Sequence, residues 1–554
     1  MKKLLIIFIC IPLASQELTD VLWEKEKLSR AFHYDVFNKS IAVLPSSNKK
    51  VEGIFSINSN PRGRGFTINV DHRNIYQESH QNLPEFQIKF SIVNGTFNPS
   101  SKKIIKTSHP FWNIQFGTGV VKYNKESNQD VVYYPFNLIH KNANCVHNGI
   151  GVFALSGNNI SNALFQIASE TCAYYQFDLV SVNQGMFIET DSDILMNETI
   201  HPIKYKKNDI KSIRDIYQNY DVNNKSFADS SSFNEDEVTI YGLINGKSHY
   251  TSACKTRLGD HPFCDEIILP SYSLAKSLSG TLGLSLIEDK HGSINNLYVK
   301  DLIKECDQRK WNNVTLENLS DMATGQYINS THDLDERGTS SSAVIFNLSS
   351  HNEKLNMACK AFPKKRKPGI KFVYHTSDTY ILGAALNSYL IANTNDDDFF
   401  SDYVKPFFKT NQLSQVSEYI LRTDDDVNHP YTGWGMFFVL DDLFSISLLL
   451  HDIKNNNSSR LSFLKDALNP DYKNSILAIP EYNIYYNNGF WSRKFDKNIF
   501  NCKEDIWIPF MSGFGGITYA LLPNGMTYYY FSDGYTFAWE SAVIAANQIK
   551  PFCN

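Results

Sequence analysis

Ser273 and Lys276 stand three residues apart in the stretch Leu269-Pro270-Ser271-Tyr272-Ser273-Leu274-Ala275-Lys276. On a helix that spacing puts both side chains on one face, one turn apart. Ser273 would fall in the first turn, where free N–H groups and the helix dipole favour negative charge. A lysine buried beside it can lose its proton and act as a base. Such a pair activates a weak hydroxyl nucleophile without histidine. The same spacing recurs at Ser46/Lys49, Ser100/Lys103 and Ser252/Lys255. A helix cap followed by a solvated lysine satisfies it equally well. Only the Ser273 copy opens a long apolar helix, with Leu274, Leu278, Leu282 and Leu286 at i+4 and the small residues Ser277, Ser279, Gly280 and Gly283 between them.

Two further stretches carry candidate chemistry. In Phe372-Val373-Tyr374-His375-Thr376-Ser377-Asp378 a tyrosine ends a short strand-like run, and a polar turn then enters an apolar helix. A tyrosine near a lysine can shuttle a proton between a serine and a leaving group. An ordinary core tyrosine fits the same pattern. In Ser512-Gly513-Phe514-Gly515-Gly516-Ile517-Thr518 glycines run into a strand. They allow a backbone to approach a substrate closely, and a strand-edge N–H there could join an oxyanion hole. A bulge or turn would use the same residues.

The elements that must position these residues belong to an α+β chain. At about 150 residues per domain, the 554 residues allow several domains. With 42% hydrophobic and 20% charged residues, the composition excludes wholesale disorder. Acidic and basic residues nearly balance at 58 against 53, so the overall charge gives no basic footprint for nucleic acid. Residues 16–205 read as a β-rich N-terminal domain of unknown role. Segments 53–58, 66–70 and 86–93 alternate apolar and polar residues between turn clusters, which predicts a sandwich or barrel with one wet face per sheet. Residues 206–237 read as a linker with one helical stretch, Ile210 to Tyr217, and an exposed polar run, Asn223 to Glu237. From 238 to 554 strands at both ends, Val238 to Leu243, Gly516 to Leu522 and Met526 to Phe531, bracket a helical middle.

Met1-Lys2-Lys3 followed by the apolar run Leu4 to Ile11 and by Pro12-Leu13-Ala14-Ser15 predicts a secretory signal, 1–15. Its removal would take the formal charge from −5 to −7. The chain is then secreted or periplasmic. No later stretch reads as a membrane span, because the best candidate, Phe437 to Leu450, contains Asp441 and Asp442. Beyond Cys10, the cysteines are Cys145, Cys172, Cys254, Cys264, Cys306, Cys359, Cys502 and Cys553, an even set that suggests disulfides after export. Neighbouring pairs, 145–172, 254–264, 306–359 and 502–553, are one of many possible pairings. No CxxC or HExxH occurs to suggest zinc.

Taken together and in this order, the motifs resemble the serine β-lactamase-like hydrolases. That family holds class C β-lactamases, D-alanyl-D-alanine peptidases, family VIII esterases and 6-aminohexanoate-dimer-type amide hydrolases. The resemblance covers about 236–554. It also includes Tyr241-Gly242-Leu243, Val314-Thr315-Leu316-Glu317-Asn318-Leu319 with Met322 and Gly325, Gly433-Trp434-Gly435-Met436, and Asp441-Asp442-Leu443. It implies an antiparallel sheet flanked by helices, with the active site between the sheet edge and a helical lobe. It implies Ser273 as nucleophile, Lys276 as its base and Tyr374 as a proton-transfer partner. Thr376 stands where the family has Asn or Ser. Phe514-Gly515-Gly516 matches the third motif, and the N–H groups of Ser273 and Ile517 would form the oxyanion hole. Phe514 replaces a lysine that binds a substrate carboxylate in β-lactamases and peptidases. The implied activity is therefore an exported serine hydrolase acting on a small ester or amide, without metal or organic cofactor. The alternatives are a catalytically inactive binding or scaffold protein on the same fold, and a β-lactamase or D-Ala-D-Ala peptidase.

Overall fold

The computed structural model describes residues 13–553 apart from 26, 29, 44–49, 58–61, 73, 75–80, 125–127, 158, 190–208, 224, 229–236, 308 and 457–459. It is α+β, with two large sheets and a helical block. Among the described residues the first sheet has twelve strands, all paired antiparallel. Its path runs from Gly185–Glu189 through Val51–Ile57, Phe86–Val93, Thr96–Pro99, Gly119–Asn124, Gln129–His140, Val146–Ser156, Ala163–Thr171 and Tyr175–Asn183 to Arg62–Asp71.

Val51–Ile57 alternates buried and partly exposed residues as its sequence predicts. The central strands do not. Val146–Ser156 is buried at every position but its last, and Ala163–Thr171 throughout. The expectation of a wet face on each sheet therefore fails at the centre of this one. Two helices are the reason. Leu13–Leu22 and Tyr34–Val43 lay Leu18, Leu22, Tyr34 and Phe37 over Val131, Ile150, Val152 and Leu164. The expected leader, 1–15, lies outside the described residues up to residue 12, and the first helix begins inside its last part.

The second sheet has nine strands among the described residues. In order they are Ile210–Ser212, Ser248–Thr251, Val238–Asn245, Met526–Ser532, Ile517–Leu521, Ile506–Gly513, Phe490–Phe495, Ile484–Asn487 and Ile476–Ile479. Val238–Asn245 pairs with Met526–Ser532, so both ends of the region do meet in one sheet. The helix expected over Ile210 to Tyr217 is instead a strand, Ile210–Ser212, and a helix, Arg214–Asn219. The strand adds parallel to Ser248–Thr251, which gives its backbone groups partners that an isolated turn of helix would lack. The polar stretch from Asn223 is not uniformly exposed. Phe227 is buried, and its carbonyl accepts a hydrogen bond from Tyr528 OH at 2.6 Å. The run 229–236 lies outside the described residues.

Both sheets share one core, in which Trp112, Phe165 and Tyr174 cluster with Leu274, Tyr380 and Phe437. The four neighbouring cysteine pairs are each close enough to bond, with Cα–Cα separations of 5.0, 5.4, 5.1 and 5.6 Å. Among the described residues no helix is long and apolar enough to cross a membrane. The stretch from Phe437 holds the helix Leu440–Asn455, whose buried Asp442 accepts from Ser414 N–H at 2.6 Å and Val439 N–H at 3.0 Å.

Candidate active site

Ser273 lies in a turn that leads into a wide helical segment, Lys276–Thr281, continued by the α-helix Leu282–His291. The leucine stripe predicts a plain α-helix here. Leu274, Leu278 and Leu282 are buried as that stripe requires, but the turns between Lys276 and Thr281 are π-helical. Side-chain hydroxyls on this segment bond outward. Ser277 Oγ donates to the Gly489 carbonyl and Thr281 Oγ1 to the Asn488 carbonyl, each at 2.6 Å. Such partners fix the widened turns that an apolar stripe alone cannot specify.

Lys276 is 2% exposed. Its Nζ donates to Thr376 Oγ1 at 2.9 Å and to the Gly433 carbonyl at 3.1 Å. It also sits 5.1 Å from the centre of the Tyr374 ring. Tyr374 OH in turn donates to Ser273 Oγ at 2.6 Å. Serine, lysine, tyrosine and threonine, drawn from positions 273 to 376, thus meet in one cluster. Of the other Ser/Lys copies, Lys103 and Lys255 are exposed, and 46–49 lie outside the described residues.

Burial pushes the Lys276 ammonium down to about 8, against the opposing pull of Glu336 and Asp378. Burial, reinforced by Glu336, pushes the Tyr374 phenol far above its ordinary range, so it stays protonated and donates. A neutral amine has two N–H groups and one lone pair. Thr376 Oγ1 and the Gly433 carbonyl take both N–H groups, which leaves the lone pair for an incoming proton. Thr376 can accept from lysine because its own hydroxyl proton goes to Glu336 Oε1, while its N–H donates to Glu336 Oε2 at 2.9 Å.

Tyr374 is held by stacking on Trp491, with centroids 5.8 Å apart and planes at 19°. The residues before it form no strand, and the helix Thr376–Asn393 follows at once. Beneath that helix start lies His375, buried between Asp335 at 3.3 Å and Asp378 at 3.5 Å. Burial alone would lower its pKa, but the two carboxylates outweigh it and push it up to about 9.

Of the glycines, Gly513 is the one packed on the nucleophile turn. A Cβ there would lie 3.1 Å from the Ser271 carbonyl and 3.2 Å from Tyr272 Cβ. Gly515 and Gly516, at φ +90° and +100°, turn the chain toward Ser532 and Thr536 instead. Ile517 is buried in the hairpin opposite Gly513 and Phe531. Among the described residues, the amides of Ser273 and Phe514 donate no hydrogen bond. The Phe514 side chain is 37% exposed and contacts the rings of Tyr272, Tyr174 and Tyr535.

Sequence reasoning passed over Glu336 and Asn144. Asn144 comes from the first sheet's region, beside Cys145. Its Oδ1 accepts from Ser271 Oγ at 3.0 Å, Tyr272 N–H at 2.7 Å and Gly435 N–H at 2.8 Å. Its Nδ2 donates to the Met436 carbonyl at 3.1 Å. One amide thereby ties the nucleophile turn to the loop that presents the Gly433 carbonyl. Tyr272 in that turn has φ +41°, a conformation that needs such support.

No family model matches the chain, and no curated protein matches it. Solved structures do. A Bacillus anthracis protein assigned as a 6-aminohexanoate-dimer hydrolase is 16% identical, with a TM-score of 0.41, over 57% of this chain and 78% of that one. A D-stereospecific amidohydrolase from Streptomyces sp. is 14% identical, with a TM-score of 0.39, over 57% of this chain and 95% of that one. A D-alanine carboxypeptidase from Burkholderia cenocepacia is 13% identical, with a TM-score of 0.38, over 56% and 93% respectively. The solved structures it is similar to are serine β-lactamase-like hydrolases.

Proposed function

We propose that the chain is an exported serine hydrolase that cleaves an ester or amide through an acyl-enzyme. The observation that carries this reading is the hydrogen bond from Tyr374 OH to Ser273 Oγ at 2.6 Å beside the buried, doubly bonded Lys276. Ser273 attacks the substrate carbonyl, and Lys276 takes its proton. The oxyanion rests on the Ser273 and Phe514 amides. The Phe514 amide takes the place of the Ile517 amide implied by motif matching, because Gly513 is the residue against the nucleophile turn. Lys276 or Tyr374 then returns a proton to the leaving group, and water releases the acyl group. With Gly513 as the glycine of the third motif, the lysine position two residues before it falls on Met511, which supplies no cation for a carboxylate. This favours neutral substrates over penicillins and D-Ala-D-Ala peptides.

A fluorophosphonate probe tests the reading. The wild-type protein should be labelled and Ser273→Ala should not. Folded wild-type protein that resists the probe would mean a binding or scaffold protein, and rapid turnover of nitrocefin would point to a β-lactamase.

The acid limb of the pH profile is a separate prediction. Lys276 must be neutral to accept a proton, and its pKa is about 8. In kcat/KM for a p-nitrophenyl ester, the rate should rise about tenfold per pH unit below that value and level off above it. A profile flat from acid to mildly basic pH would remove Lys276 as the base.

A further inference from the structure

Lys364, Lys365, Arg366, Lys367 and Lys371 put five positive charges into eight residues of a chain whose formal charge is −5. Lys364 to Lys367 are exposed. Among the described residues none of the five has a carboxylate partner. Arg366 Nε donates to Tyr327 OH at 3.3 Å.

The segment is not a loose loop. Tyr327 N–H donates to the Pro363 carbonyl at 3.0 Å, Lys365 N–H to the Gly325 carbonyl at 2.9 Å, and Gly369 N–H to the Ala323 carbonyl at 2.7 Å. Between the two strips lies a cavity of about 430 Å³ lined by Tyr327, Ile328, Ser330, Arg366, Ile370 and Lys371. Ile328 and Ile370 on its rim are 65% and 61% exposed. Large apolar side chains so open, beside Arg366 and Lys371 in the same lining, mark an interaction surface. A soluble polyanion would satisfy the lysines and leave both isoleucines in water. A lipid surface with anionic headgroups takes both, the charges at headgroup level and the isoleucines at the acyl boundary.

We propose that this rigid basic clasp docks the protein on an anionic lipid surface, with Ile328 and Ile370 entering the interface. The docking does not depend on hydrolysis, and Ser273→Ala should dock as the wild type does.

Co-sedimentation of the full chain with phosphatidylcholine vesicles, with and without phosphatidylserine, reads the docking. Binding should need phosphatidylserine and fall steeply in high salt. The variant Lys364→Glu/Lys365→Glu/Lys367→Glu should bind about tenfold or more weakly, with fluorophosphonate labelling of Ser273 unchanged. Ile370→Asp provides a second variant that leaves every cation in place, and it too should weaken binding. Failure to bind anionic vesicles, retention on heparin but not on vesicles, or full binding by both variants would each overturn the proposal. If the wild type docks but resists the fluorophosphonate, the hydrolase reading fails and the docking stands.

Discussion

Lys276→Ala should lower kcat/KM for a p-nitrophenyl ester by about 10²- to 10⁴-fold, the range expected for loss of a positioned general base. None of the neighbouring hydroxyl, phenol or imidazole groups can take over. The Tyr374 phenol is held protonated by burial and by Glu336, and it already donates to Ser273 Oγ. Thr376 has committed its proton to Glu336. His375 faces Asp335 and Asp378, and it carries its own proton at neutral pH. Lys276→Arg separates base from charge. A guanidinium keeps the positive charge but does not deprotonate in proteins, so Lys276→Arg should be as impaired as Lys276→Ala. Lys276→Met keeps the length of the stem and should fold well, because it removes the cost of burying an amine. The measurement is steady-state turnover of all three variants, with circular dichroism as a folding check. Activity retained by Lys276→Arg would recast the lysine as a source of charge and not a proton acceptor.

The parts of the site that were legible in the sequence are those encoded locally. Ser273 and Lys276 sit on one turn, and Tyr374 and Thr376 share one short segment, so each pair shows in its spacing. The remaining parts arrive through the backbone or from far away. The Gly433 carbonyl that binds Lys276 carries no side-chain signature. Glu336 is one acidic residue among 58, and only the fold sets it against Thr376. The choice among Gly513, Gly515 and Gly516 depends on which one abuts the Ser271 carbonyl, which composition cannot rank. The fold divides along the same line. The alternation in Val51–Ile57 marks a strand with one half-exposed face, whereas Val146–Ser156 is covered on both faces by elements distant in the chain. Its Gly149 and Gly151 lie where a Cβ would collide with Phe136 and Tyr134, a packing demand that no local pattern reveals.

Asn144→Ala should both destabilise the protein and slow its acylation, although residue 144 belongs to the first sheet's region and is buried. Three donors lose their acceptor at once: the Ser271 hydroxyl and the amides of Tyr272 and Gly435. All three residues are buried, and each unsatisfied donor costs about 1–3 kcal/mol. Ser271 Oγ retains the Tyr272 carbonyl as a partner at 3.0 Å, so the expected loss is about 3 kcal/mol, below a full sum. Urea denaturation measures it. The catalytic effect has a different origin. Tyr272, at φ +41°, aims Ser273, and a relaxed turn would shift Ser273 Oγ away from Tyr374 OH. Misplacement on the ångström scale can cost about 10²-fold in rate. Fluorophosphonate labelling under conditions where the variant is fully folded should therefore slow by about 10- to 100-fold. Asn144→Asp keeps an acceptor for all three donors and should recover most of the labelling rate, at the cost of a buried charge. A folded Asn144→Ala protein that labels at the wild-type rate would mean that the turn holds its shape unaided, and that the first sheet contributes stability alone.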